Sequence, residues 1–225
     1  MIKICGIVSL DEAETASRRG ATALGFVIGG TNLTKPVSVH TAKEIIATLN
    51  RQIETVLVTH FEDPESIVDV AREIGCTMIQ IVEDIPVDQI EYVRQKTGKK
   101  IIKTVDTSKY FEDSQYYTQC EKIADFFLID TRFDGKLGGT GVVSNPDTSR
   151  KIIEEFKIPT LLAGGLNSEN VSELVEKIKP YGIDILSGVQ DGNTRDEYVL
   201  SEKKLAAFIS NGRKALQGIY ARVTE

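Results

Sequence analysis

Short apolar runs alternate with amphipathic stretches along most of the chain. The runs are Ile2–Cys5, Ala23–Ile28, Thr55–Thr59, Met78–Val82, Lys100–Val105, Phe126–Asp130, Thr160–Ala163 and Ile183–Leu186. Their length and β-branched content predict strands. They are largely apolar instead of alternating, which predicts strands buried on both faces, as in a parallel sheet covered by helices. Between them, apolar residues recur at helical spacing over Leu10–Arg19, Val39–Leu49, Pro64–Ile74, Val87–Lys96, Ser149–Phe156, Asn167–Ile178 and Glu202–Leu216. Phe111–Ile123 is also read as helical, against its aromatic content. Helix starts are signalled by Ser9 or Asp11, by Asp63-Pro64, and by Asn167 followed by Asn170.

Eight strand–helix repeats in 225 residues predict a (β/α)8 barrel of the TIM type, in one domain over residues 1–225. A doubly wound open sheet would more often carry a glycine-rich phosphate loop after its first strand. Here that strand is followed by Cys5-Gly6-Ile7, and the glycine-rich turns come late. In a barrel, function belongs to the C-terminal strand ends.

Composition narrows the partners. With 41% hydrophobic and 27% charged residues the chain reads as a water-soluble globular protein, and its net charge of −6 argues against nucleic acid or an anionic membrane as the main partner. No apolar stretch approaches the roughly 18 residues of a membrane span. The start of the chain lacks the shape of a signal peptide. Cys5, Cys76 and Cys120 are widely spaced and suggest no disulfide framework, so a cytoplasmic setting is expected. With only His40 and His60, and no CxxC pair, a structural zinc site is not expected.

The chemistry sits at the predicted strand tips. Cys5 reads either as a small core residue or as a base; as a base it needs a cation or helix N-terminus nearby. Asp130 ends an apolar run, where partial burial would favour a proton held for donation. Lys136–Gly141, with Gly139 at its centre, reads as a turn or as a lid over substrate. Gly164-Gly165 after strand seven and Ser187-Gly188 after strand eight stand where barrels commonly bind phosphate. Lys35 reads as a solvated loop lysine or as a partner for a substrate carboxylate. Asp184 lies inside strand eight, where a charge needs a partner; sugar hydroxyls or a structural pair would each serve. His60, Glu83 and Asp106 lie near tips with weaker claims. Tyr110, Tyr116 and Tyr117 read as helix packing.

The order Lys3-Ile4-Cys5-Gly6, Gly20-Ala21 with Gly25-Phe26-Val27, Leu128-Ile129-Asp130-Thr131, Gly138-Gly139-Thr140-Gly141, Leu162-Ala163-Gly164-Gly165-Leu166-Asn167 and Asp184-Ile185-Leu186-Ser187-Gly188-Val189 resembles phosphoribosylanthranilate isomerase, the tryptophan-pathway barrel that performs an Amadori rearrangement. The resemblance runs from residue 2 to about residue 210. It implies that Cys5 is the general base at sugar C2 and Asp130 the general acid at the ring oxygen. It also implies phosphate at the Gly164-Gly165 and Ser187-Gly188 turns and ribose hydroxyls at Asp184, with no metal or organic cofactor. The implied partner is a small phosphorylated sugar, and the implied assembly a monomer or homodimer.

The chain departs from that pattern on one side. Lys35 stands where the family commonly has an arginine that meets the anthranilate carboxylate, in a loop one residue longer. Gln80-Ile81-Val82-Glu83 replaces a common Gln-Leu-His-Gly, and Val58-Thr59-His60 replaces a segment with asparagine. Val143-Ser144-Asn145-Pro146 replaces Phe-Asp-Trp. Acid, base and phosphate turns match; the part that holds the aromatic acid does not. Three functions follow: the Amadori isomerase, a related isomerase of another phosphorylated sugar or aminosugar, and a barrel that binds a phosphorylated ligand without turnover.

Overall fold

The computed structural model describes residues 1–30, 33–130, 146–192, 194 and 197–221. Eight parallel strands close into a barrel in chain order: β1 (Ile2–Cys5), β2 (Ala23–Ile28), β3 (Glu54–Thr59), β4 (Met78–Ile81), β5 (Lys100–Asp106), β6 (Phe126–Asp130), β7 (Thr160–Leu162) and β8 (Gly182–Ile185). Closure is made by β1 on β8, with Lys3 in register with Asp184. The helices between strands are α1 (Leu10–Arg19), α2 (Val39–Thr48), α3 (Pro64–Ile74), α4 (Val87–Thr97), α5 (Ser114–Cys120), α6 (Pro146–Glu155) and α7 (Val171–Ile178); α8 (Glu202–Ala221) follows β8. The fold is the expected (β/α)8 barrel.

The period-2 alternation of a strand divides the core into two layers. Ile2, Ile4, Leu24, Phe26 and Leu57 pack outward against the helices. Cys5, Ala23, Val27, Val56, Val58 and Leu128 fill the barrel interior. Apolar residues on both faces made each strand read as a continuous run. Local signals set the helix limits. Ser9 caps α1 by accepting from the Glu12 amide at 3.2 Å, and Asp63 caps α3 by accepting from Ser66 at 2.9 Å. The Ser9 cap stabilises its helix by about 1 kcal/mol.

Two of the departures from the sequence pattern have a local physical reason. Helix α7 starts at Val171, not Asn167. The Asn167 side chain accepts from the Glu169 and Asn170 amides at 2.8 and 3.0 Å, and these local bonds replace a helical first turn. Beyond β8, Ser187–Val189 forms a single 3-10 turn, and β9 (Gln190–Asp191) pairs antiparallel with β10 (Val199–Leu200). Elements of two and three residues are too short to leave a periodic signal. Among the described residues no helix is long and apolar enough to cross a membrane.

Candidate active site

The C-terminal mouth of the barrel holds an open cavity of about 890 Å3, counted with the solvent at its entrance. Cys5, Asp130, Gly164, Gly165, Asp184 and Ser187 all line it. Six of the expected site residues, from β1, β6, β7 and β8, therefore converge on one space. Gly139 and the Lys136–Gly141 loop fall within residues 131–145, which lie outside the described residues.

Cys5 and Lys3 are both on the inward face of β1, two residues apart. The Lys3 side chain is fully buried, and its Nζ donates to Asp184 Oδ1 at 2.9 Å. Its charge also acts on the Cys5 thiol. Burial alone would push the Lys3 ammonium down, but Asp184 and Cys5 outweigh it and hold the ammonium above its ordinary value. Burial pushes the Cys5 thiol up to about 11, against the opposing pull of Lys3 and with a further upward push from Asp184. At neutral pH the site thus holds a thiol beside an ammonium–carboxylate pair. Gly25 of β2 makes room for this group: a Cβ there would stand 3.0 Å from Cys5 Sγ and 3.2 Å from Lys3 Nζ.

Lys3 is the functional residue that the apolar-run reading overlooks. Asp184 inside β8 was recognisable as a charge in need of a partner, and that partner is the lysine two residues before Cys5. Asp184 combines both expected settings, because it pairs with Lys3 and also lines the cavity.

The turns after β7 and β8 are built by close backbone approach. Gly164 and Gly165 have φ of 82° and 65°, in the left-handed region that favours glycine. Asn170 donates from Nδ2 to the Gly165 carbonyl at 2.9 Å, tying the turn to the start of α7. Gly188 does not line the cavity; a Cβ on it would lie 2.0 Å from the Leu166 carbonyl oxygen. Its bare α-carbon lets the β8 turn, led by Ser187, lie directly on the β7 turn.

Opposite, the wall from β2, β3 and β4 is mostly apolar, with Val27, Leu33, Val58 and Val82, and carries His60. His60 Nδ1 lies 2.8 Å from Glu83 Oε1. In the floor, Gln80 donates to Thr104 Oγ1 at 3.1 Å, while its Oε1 is buried with no hydrogen-bond partner among the described residues. Lys35 stands apart from this wall. It is buried, and its Nζ donates to Glu12 Oε1 at 2.6 Å and Gln190 Oε1 at 3.2 Å. The structure does not bring it into the cavity lining. Asp106 is turned to its own loop, accepting from Ser108. Tyr110 and Tyr117 are buried in the outer core as expected, and the Tyr116 hydroxyl donates to the Ile85 carbonyl at 2.7 Å.

Comparison with known proteins places this geometry. Residues 2–209 match the model of the family described as N-(5'-phosphoribosyl)anthranilate (PRA) isomerase. N-(5'-phosphoribosyl)anthranilate isomerase 2 of Methanosarcina mazei is 36% identical over 204 residues, covering 85% of this chain and 86% of its own. The crystal structure of phosphoribosyl anthranilate isomerase from Thermotoga maritima superposes with a TM-score of 0.82 at 25% identity, over 95% of this chain and 100% of that one. A crystal structure of such an isomerase in complex with reduced 1-(o-carboxyphenylamino)-1-deoxyribulose 5-phosphate superposes with a TM-score of 0.77 at 26% identity, over 95% and 100%.

Proposed function

Because the chain belongs to the N-(5'-phosphoribosyl)anthranilate isomerase family, we propose that Cys5 and Asp130 are the base and the acid with which it performs that family's reaction. The enzyme is an aldose–ketose isomerase of tryptophan biosynthesis. It converts N-(5'-phosphoribosyl)anthranilate to 1-(o-carboxyphenylamino)-1-deoxyribulose 5-phosphate. The observation that carries the assignment is the placement of Cys5 and Asp130 on the same cavity as the glycine turns of β7 and β8.

The substrate phosphate sits on backbone amides of the Gly164-Gly165 and Ser187 turns. The sugar then lies between β6 and β1, near Asp130, Cys5 and Asp184. Asp130 gives a proton to the ring oxygen as the anthranilate nitrogen pushes its lone pair toward C1' and the C1'–O bond breaks. The product is an open-chain protonated Schiff base. Its positive charge and the Lys3 ammonium both favour the thiolate of Cys5, whose own proton passes to solvent at the open mouth. The thiolate takes the C2' proton, the C2'–H electrons flow to the iminium, and an enolamine forms. The enolamine tautomerises to the ketone, with a proton added at C1' and the C2' hydroxyl proton lost. Asp184 accepts from a sugar hydroxyl, and the unpartnered Gln80 Oε1 offers a further acceptor in the floor.

The fate of a deuterium at C2' tests these roles. Cys5→Ala forms ketose and loses the label far more slowly than the wild type, and Asp130→Asn, slowed at ring opening, does the same. Loss of the label at the wild-type rate in Cys5→Ala removes Cys5 from the mechanism.

A further inference from the structure

We propose that His60, held by Glu83, is the residue that receives the ring carboxylate of the substrate, and that Lys35 is a structural ion-pair partner with no part in that contact. The proposal rests on the isomerase reading and assigns the aromatic end of the same site. In a closed barrel of eight strands in chain order, β3 and β4 stand diametrically across from β7 and β8. A substrate whose phosphate rests on the β7 and β8 turns therefore extends its other end over β3 and β4. The wall there supplies what a carboxyphenyl group needs. Val58, Val82 and Leu33 provide an apolar face for the ring, and His60 stands among them.

Among the described residues that line the cavity, His60 is the sole side chain able to carry positive charge. Its ring is held by Glu83, and its Cβ is packed against the β2 loop. Glu83 Oε1 faces Nδ1 at 2.8 Å, which leaves Nε2 for a ligand. Gly30, at φ 102°, brings the β2 loop so close that a Cβ would stand 2.8 Å from His60 Cβ. With both nitrogens protonated, the imidazolium donates from Nδ1 to Glu83 and from Nε2 to the ligand carboxylate. Lys35, by contrast, has a side chain only 4% exposed, and its ammonium is engaged by Glu12 and Gln190. Turning it to a substrate would strand Glu12, itself 12% exposed, without its cation.

The test compares two ligands: reduced 1-(o-carboxyphenylamino)-1-deoxyribulose 5-phosphate and its phenylamino counterpart without the carboxyl group. Affinities are measured calorimetrically for the wild type, His60→Leu, His60→Gln and the paired variant Lys35→Met/Glu12→Gln. His60→Leu is expected to weaken the carboxylated ligand by about ten- to a hundredfold, the range of a charge-assisted hydrogen bond, and to leave the other ligand nearly unchanged. His60→Gln, polar and less disruptive, keeps the proposal testable if the leucine variant does not fold, and is expected to show the same selective loss in smaller measure. The paired variant is expected to show no selective loss. Equal weakening of both ligands in the His60 variants, or a selective loss confined to the paired variant, overturns the assignment. Turnover of phosphoribosylanthranilate by the wild type is measured alongside. Turnover with an undiminished carboxylate preference in the His60 variants overturns the His60 assignment alone, whereas no turnover overturns the isomerase reading and this assignment with it.

Discussion

Lys3 of β1 donates its buried ammonium to Asp184 of β8 at 2.9 Å, at the seam where the barrel closes and one side-chain step below Cys5. The pair satisfies the closure strands and sets the charge beside the thiol at once. Removing either member alters both.

The two ends of the pair act on Cys5 with opposite sign. Lys3 favours the thiolate and Asp184 opposes it. Alkylation of Cys5 by iodoacetamide, located by mass spectrometry, is expected to be slow at neutral pH and to climb as pH approaches about 11, above the ordinary thiol value of 9.0. Lys3→Met shifts that profile to higher pH, and Asp184→Asn shifts it to lower pH. The same profile in all three proteins would show that the pair does not govern the sulfur.

Acid–base roles have a characteristic size. Cys5→Ala and Asp130→Asn are each expected to lower kcat by on the order of a hundredfold or more, with the fold intact by circular dichroism. Wild-type rates in both variants would remove the assignment.

Gly25→Ala probes the space shared by thiol and ammonium. The added Cβ meets the Cys5 backbone as well as its sulfur, at 3.2 and 3.0 Å, tight contacts that press on the strand as well as on the side chain. A small displacement of a reacting group is costly, and kcat is expected to fall by on the order of tenfold with KM little changed. An effect on KM alone would place Gly25 in binding instead.

Gly188→Ala drives a methyl into the Leu166 carbonyl and separates the turns after β7 and β8, where we propose phosphate binds. We expect a loss of about 1–3 kcal/mol in stability, read by urea denaturation, together with weaker inhibition by inorganic phosphate. Unchanged phosphate inhibition would place the phosphate away from these turns.

Lys35 has a stability signature of its own. Lys35→Met leaves the largely enclosed Glu12 side chain without its cation, and a cost of about 3–5 kcal/mol is expected. Lys35→Met/Glu12→Gln is expected to recover part of it, since breaking one side of a buried pair costs more than replacing both. Equal stability of the single and paired variants would show that the ion pair contributes little.

The strands were legible because a barrel strand buries both faces and so appears as an unbroken apolar run. The cost of that same legibility was Lys3, hidden within such a run because its charge is cancelled by a residue 181 positions away. The turns at Gly164-Gly165 and Ser187 were readable because close backbone approach demands glycine and leaves a local mark. Gly188 was expected at the phosphate turn, and its bare α-carbon also serves packing, since a Cβ there would meet the Leu166 carbonyl oxygen at 2.0 Å. Lys35 read as a free loop cation because its partners, Glu12 and Gln190, lie on α1 and β9, far away in sequence. The His60–Glu83 pair joins two strand tips whose sequences carry no shared motif; each residue was visible near a tip, and only the barrel brings them together.

We propose that this barrel isomerises N-(5'-phosphoribosyl)anthranilate with Cys5 as base. The most direct measurement is the loss of substrate fluorescence when purified protein meets freshly generated N-(5'-phosphoribosyl)anthranilate, run beside Cys5→Ala. Rapid enzyme-dependent loss is expected with the wild type and almost none with the variant. No loss with a folded wild type, or equal loss in both proteins, would contradict it.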